Sequence, residues 1–169
     1  SLEVSVGQYS TQGRKPKNQD FHGAYFPDNS LRDTKGVCVA IADGISSSDG
    51  SHIAAESTVT RFFADYSCTP EAWTVKTSAL RVLTALNSWL YAQNQRSPYR
   101  YEQDRGYVCT LSAMVLKGTT AHIFHAGDAR IYRLQKNTLE QLTTDHRLHL
   151  AEDTTFLSRA MGINAQLDL

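Results

Sequence analysis

Three aspartates stand at the ends of strand-like runs. Asp20 closes "KPKNQD", Asp43 closes "CVAIAD" and Asp128 follows "AHIFHAG". Each adjoins a glycine or a turn, and each run would bring its carboxylate to one rim of a sheet. An ionised carboxylate at the mouth of a buried strand is costly unless something compensates it. A lone Asp-Gly reads as a turn or a cap. Three carboxylates on one rim read better as ligands for a hard cation such as Mg²⁺ or Mn²⁺, which takes carboxylate, carbonyl and water oxygens in an octahedron. Asp43 followed by Gly44 supplies a carboxylate and a closely approachable backbone carbonyl, so a divalent cation is expected to compensate Asp43.

Other chemistries drop out on inspection. The chain contains no GxxxxGK[ST], GxGxxG, HExxH or GxSxG. None of Cys38, Cys68 and Cys109 is followed closely by an arginine, as a phosphate-cradling thiol would need, and no CxxC pair occurs. Cys38 and Cys109 sit in apolar runs and are expected to be buried free thiols. His122 and His125 stand three apart on a strand, so they face opposite sides and do not make a zinc pair.

The elements that must position these aspartates follow from periodicity. Leu2–Tyr9 alternates as a strand, Phe21–Phe26 is extended, and Val37–Ala42 reads as a buried strand. Ala55, Val59, Phe62, Phe63 and Tyr66 make the apolar stripe of one helix. Thr69–Pro70 is an N-cap candidate for a second, longer helix, striped by Ala72, Val75, Ala79, Val82, Leu86, Trp89 and Gln93. After a polar loop the period changes to two. Tyr107–Leu116, Thr120–Ala126, Arg130–Leu134 and Leu139–Leu142 read as strands joined by short turns. The fold class expected is α+β: a sandwich of two antiparallel sheets flanked by helices, in α-β-β-α layers.

Composition sets the outer bounds. The 169 residues carry 17 basic and 17 acidic side chains, 41% hydrophobic and 20% charged residues. That balance suits an ordinary globular domain, and no sign bias argues for nucleic acid or an acidic membrane surface. No run approaches the roughly 20 apolar residues that span a bilayer. A cytoplasmic location is the expectation.

"NQD" at 18–20, "ADG" at 42–44, "YVCTLSA" at 107–113, "GDARIYRL" at 127–134, "LTTDH" at 142–146 and "LSRAMG" at 157–162 carry a resemblance to the metal-dependent serine/threonine protein phosphatases of type 2C, in particular their bacterial branch. "NQDFHGA", "ADGISSS" and "AHIFHAGDARIYRL" are similar to segments of chains in which such a phosphatase precedes a kinase-like half. That resemblance makes a kinase-like domain a candidate partner in the full-length parent. It implies two or three Mg²⁺ or Mn²⁺ ions and direct attack by a metal-activated water on a phosphoserine or phosphothreonine phosphoprotein. Asp43 matches the bridging aspartate and Gly44 the carbonyl ligand. Asp20 matches the acidic residue that holds metal-bound water, and Asp128 matches the aspartate associated with a third metal. Asp20 and Asp43 are thus both catalytic and metal-binding candidates.

Departures accompany the match. An arginine usually stands five residues before the Asp20 position to bind phosphate. Here that residue is Lys15, with Arg14 beside it, and a one-residue slip in favour of Arg14 is preferred. Gln19 replaces a common glutamate, "DGISSSDG" replaces "DGMGG", and Ala129 replaces serine. The family's later aspartates have no counterpart, and Asp168 is not in their context. The expectation is therefore a single type 2C-like domain over 1–169, incomplete at its C-terminus, with an unpaired sheet edge and weak or no activity of its own. The alternative is a catalytically inactive, phosphatase-like binding or regulatory module.

Overall fold

The computed structural model describes residues 2–45, 48–102, 105–151 and 154–169. Its centre is an antiparallel sheet in chain order, β1 (Asp20–Tyr25), β2 (Val37–Asp43), β3 (Leu111–Lys117) and β4 (Thr120–Ala126). A short helix, α1 (Asn29–Lys35), links the first two strands, and α2 (Asp49–Ser67) and α3 (Val75–Arg96) link β2 to β3. Two separate hairpins follow: β5 (Tyr132–Gln135) with β6 (Thr138–Gln141), and β7 (Arg147–Ala151) with β8 (Thr154–Leu157). The α+β class read from the sequence is the one observed.

The core lies between the sheet and the two long helices. Successive strand side chains point to opposite faces, so Cys38, Ala40 and Ala42 of β2 face the helices with Leu111, Ala113 and Val115 of β3. Against them α2 sets Ala55, Val59, Phe62 and Tyr66, and α3 sets Ala79, Val82, Leu83, Leu86 and Leu90. The α2 stripe is the one periodicity indicates, with Phe63 only half-buried at its edge. On α3 the buried line runs through Leu83, Asn87, Leu90 and Asn94 rather than Trp89 and Gln93. Trp89 instead lies half-buried beneath the Arg61 guanidinium, 4.2 Å from the ring centre. Cys38 and Cys109 are buried free thiols, each pushed up to about 12 by burial.

Two expectations are corrected. Residues 2–9 form no strand. Val6 to Tyr9 instead line a groove with Val39, Ile41 and Met114 on the sheet face opposite the helices. Alternation makes a segment fit for a sheet, but a strand exists only where a partner completes its ladder. The cap of α3 is Thr74, whose hydroxyl accepts from Thr77 N–H at 3.1 Å, and not Thr69. The Thr69 hydroxyl is engaged elsewhere, accepting from the buried Lys35 ammonium at 2.7 Å and donating to the Tyr66 carbonyl.

Lys35 is only 2% exposed. It also donates to the Thr69 and Pro70 carbonyls at 2.6 and 3.3 Å, and burial lowers its pKa. These bonds tie α1 to the turn after α2. Lys35→Met keeps the aliphatic bulk but strands those acceptors, and should cost about 1–3 kcal/mol in urea unfolding. An unchanged midpoint would show that the ammonium contributes nothing net.

Candidate active site

Asp43 ends β2, and Asp20 starts β1 directly opposite it in the antiparallel register. Directly opposed residues share a face, so the two carboxyls meet on the side of the sheet away from α2 and α3. Thr110, at the entry to β3, locks the end of β2 in place. Its hydroxyl accepts from Asp43 N–H at 3.0 Å, and its own N–H donates to the Asp43 carbonyl at 2.8 Å. Gly44 N–H then donates to the Gln19 carbonyl at 3.2 Å, tying the "NQD" and "ADG" segments together. A side chain at Gly44 would meet the backbone of Ser51 at 2.7 Å, so only glycine lets β2 run this close to the start of α2.

The electrostatics at this pair are unfavourable as the chain stands. Burial, a hydrogen-bond contact with Asp20, and repulsion from Asp20 push Asp43 up to about 6. Asp128 adds a smaller repulsion, while the Lys15 ammonium acts the other way. Two carboxyls this close cannot both ionise cheaply. A divalent cation between them would remove that penalty, so Asp20, Asp43 and the Gly44 carbonyl suit a hard, oxygen-seeking ion by their chemistry. Among the described residues, however, no group of three or more His, Cys, Asp or Glu side chains is arranged to hold a metal ion.

A consequence for stability follows with a definite sign. The folded-state pKa of Asp43 lies above its unfolded value, so between about 4 and 6 the native state binds more protons. In chelator the chain should therefore lose stability as pH rises through that window, by about 1–2 kcal/mol once solvent access to a half-buried group is allowed for. His146 works oppositely. Burial, then repulsion from His125 and Arg159, lowers its pKa, so its contribution weakens as pH falls below the ordinary histidine range. Thermal melts of wild type and Asp43→Asn across pH 4–7.5 separate the two, because the His146 component is common to both and only the Asp43 component remains in their difference. Parallel curves would remove Asp43 as the source.

Asp128 follows Gly127, whose φ of +123° brings the chain so close to Thr110 that a Cβ would lie 2.6 Å from its side chain. Asp43 and Asp128 line one cleft of about 810 Å³ together with Thr110, Arg100, Arg147 and Thr155. The Asp128 carboxylate accepts from Arg147 Nε at 2.8 Å and also from Arg147 Nη2. Both basic candidates, Arg14 and Lys15, are exposed on the turn before β1, and the Lys15 charge counts among those that favour ionised Asp43. Sequence reasoning missed Arg147, Thr110 and Arg100 as cleft residues. "LTTDH" was legible as a motif, but only the fold shows the arginine that follows it reaching Asp128. His125 is a satisfied buried histidine. Its Nδ1 lies 2.9 Å from the Ser112 hydroxyl and its Nε2 lies 3.0 Å from the Thr144 carbonyl.

The fold and this arrangement of carboxylates define a class. A Protein phosphatase 2C family profile matches residues 8–166. A 2C-type protein phosphatase of Streptococcus pyogenes is 30% identical over 155 residues, covering 88% of this chain and 55% of that protein. The serine/threonine phosphatase stp of Listeria welshimeri is 31% identical over 144 residues, covering 81% of this chain and 52% of that protein. Among solved structures, Staphylococcus aureus serine/threonine phosphatase Stp1 superposes with a TM-score of 0.75 at 14% identity, over 99% of this chain and 72% of that one. The Streptococcus agalactiae serine/threonine phosphatase gives a TM-score of 0.66 at 26% identity, over 88% and 56%.

The chain belongs to the protein phosphatase 2C family, on its bacterial side, and shares that family's α+β sandwich fold. It spans about half the length of the curated relatives it matches.

Proposed function

We propose that this chain is part of a protein that hydrolyses phosphoserine and phosphothreonine in phosphoproteins with Mg²⁺ or Mn²⁺ as cofactor, acting in the cytoplasm. Among the described residues no helix is long and apolar enough to cross a membrane. The observation that carries the reading is the register pairing of Asp20 with Asp43, which places two carboxyls in contact and raises Asp43 to about 6. A binding module has no use for a repulsive acidic pair, whereas a hydrolase that gathers divalent cations needs one.

The geometry supports the following roles. Asp43 and Asp20, with the Gly44 carbonyl, would hold the ions, and Thr110 keeps the end of β2 from shifting under that load. When bound, divalent cations lower the pKa of a water molecule and neutralise phosphoryl charge. Lys15, on the basic turn before β1, is placed to draw the phosphate toward Asp43, as a point charge rather than a fork. Arg14 remains the alternative phosphate ligand from the same turn. A kinase-like domain in the full-length parent is the partner this reading keeps.

Hydrolysis of a small aryl phosphate with Mn²⁺, then with excess chelator, tests the proposal on this chain and on the longer protein. Chelator-sensitive turnover in the longer protein supports it, with little or none expected from this chain. No turnover in a folded longer protein would leave the binding module. Within an active protein, Lys15→Ala should raise KM about tenfold if Lys15 holds phosphate, while Arg14→Ala should change it by less than about threefold. The reverse order would transfer the role to Arg14.

A further inference from the structure

Segments 127–130 and 145–147 are joined by reciprocal contacts. Gly127 N–H donates to His146 Nδ1 at 3.1 Å, and His146 N–H donates to the Gly127 carbonyl at 2.8 Å. On one side of this clamp Arg130 forks onto the carboxylate of Asp145, with Nε and Nη2 at 2.9 and 2.6 Å from its two oxygens. On the other, Arg147 places Nε and Nη2 on a single oxygen of Asp128, while its Nη1 donates to Thr155 Oγ1 at 2.9 Å. The Arg147 guanidinium is thus aimed by three hydrogen bonds and by the backbone clamp next to it. The Asp128 side chain is 22% exposed and that of Arg147 44%.

We infer that Arg147 is the built-in counter-cation of Asp128, standing where the family resemblance would put a third metal ion, so that, among these three aspartates, divalent ions are taken by the Asp20–Asp43 pair and not by Asp128. Two N–H donors on one oxygen occupy that oxygen's lone pairs, and the guanidinium charge stands against any cation that approaches the other. A divalent ion at Asp128 would have to displace the guanidinium and bring a further positive charge beside it. Asp128 therefore does not suit a metal as the chain stands, in contrast to the Asp20–Asp43 pair, which has an ammonium in its field but no guanidinium on either oxygen pair. This refines the proposed function and rests on it only for the ions at Asp43.

The test is a calorimetric Mn²⁺ titration of wild type, Asp128→Asn, Arg147→Gln, Arg147→Lys and the Arg147→Gln/Asp128→Asn double variant, each checked for a cooperative melt. Asp128→Asn should bind as many ions as wild type, with Kd within about twofold. Arg147→Gln should bind one more, and the double variant should lose that ion again. Arg147→Lys, which keeps the charge, should retain the wild-type count. The inference is overturned if Asp128→Asn removes an ion from the wild-type complement, or if a folded Arg147→Gln gains none. Asp43→Asn serves as a separate control. If it leaves the wild-type ions in place, the proposed metal position fails, while the Asp128 comparison still decides the role of Arg147.

Discussion

Asp43→Asn should stabilise the metal-free chain at pH 7.5 by about 1–2 kcal/mol while abolishing both Mn²⁺-induced stabilisation and, in the longer protein, phosphatase activity. The opposite signs come from one cause. Burial and the neighbouring Asp20 carboxyl make ionised Asp43 unfavourable, pushing it up to about 6. An amide of nearly the same shape removes that charge and can still accept or donate toward Asp20. The same charge is what a hard cation needs, and an amide oxygen is a poor replacement for a carboxylate. Wild type should therefore gain several degrees in melting temperature with millimolar Mn²⁺ and the variant should gain none. Activity should fall by at least about 10³, or about 4 kcal/mol of barrier. Two measurements decide it, a melt with and without Mn²⁺ and a turnover assay. A variant that is less stable without metal, yet still responds to Mn²⁺, would refute the site.

Asn94→Leu should be the most destabilising single change in the helical layer, by about 3 kcal/mol. Asn94 is 3% exposed on α3. Its Oδ1 accepts from Tyr107 N–H at 2.5 Å, and its Nδ2 donates to the carbonyls of Gly162 and Tyr107 at 2.9 and 3.3 Å. Leucine is of similar size, so no large cavity opens; the loss arises because buried backbone groups keep no partner. For a chain of this size the melting temperature should drop by about 6–12 °C. The segments involved matter for the site. The Tyr107 segment leads to Cys109, which exchanges two backbone bonds with Met161, and then to Thr110, which fixes Asp43. Asn94→Leu should thus also weaken Mn²⁺ binding, by a few-fold, at temperatures well below its melt. A midpoint within about 3 °C of wild type would show that Asn94 is a passive core residue.

The two predictions differ in how far the sequence could supply them. Asp43 announces itself locally, as an apolar run that ends in Asp-Gly. Asn94 carries no local signal. It sits in an apolar periodicity as an ordinary polar interruption, and only the return of residues 107 and 162 to the same helix face gives it work. The same distinction explains α1, a seven-residue helix in a polar stretch with too few turns to show a stripe. The hairpin β7–β8 escaped for a different reason: Arg147–Leu150 alternates, but strands of five and four residues are too short for the pattern to stand out.

The sequence by itself determined which residues can do chemistry and what most elements are. Period 3.6 marks α2 and α3, a continuous apolar run marks β2, period 2 marks β3 to β6, and the order of "NQD", "ADG" and "GDAR" marks the family. These are properties of spacing along the chain, which local geometry translates directly into faces and rims. Tertiary structure alone decided that Asp20 stands opposite Asp43, that Arg147 rather than a neighbour answers Asp128, and that Thr74 rather than Thr69 caps α3. It also decided that Leu2–Tyr9, despite its alternation, lies unpaired along the sheet. Each of these depends on which distant segment comes to lie alongside, and strand register and side-chain partnership are set by packing across the whole chain rather than by any residue's own preference.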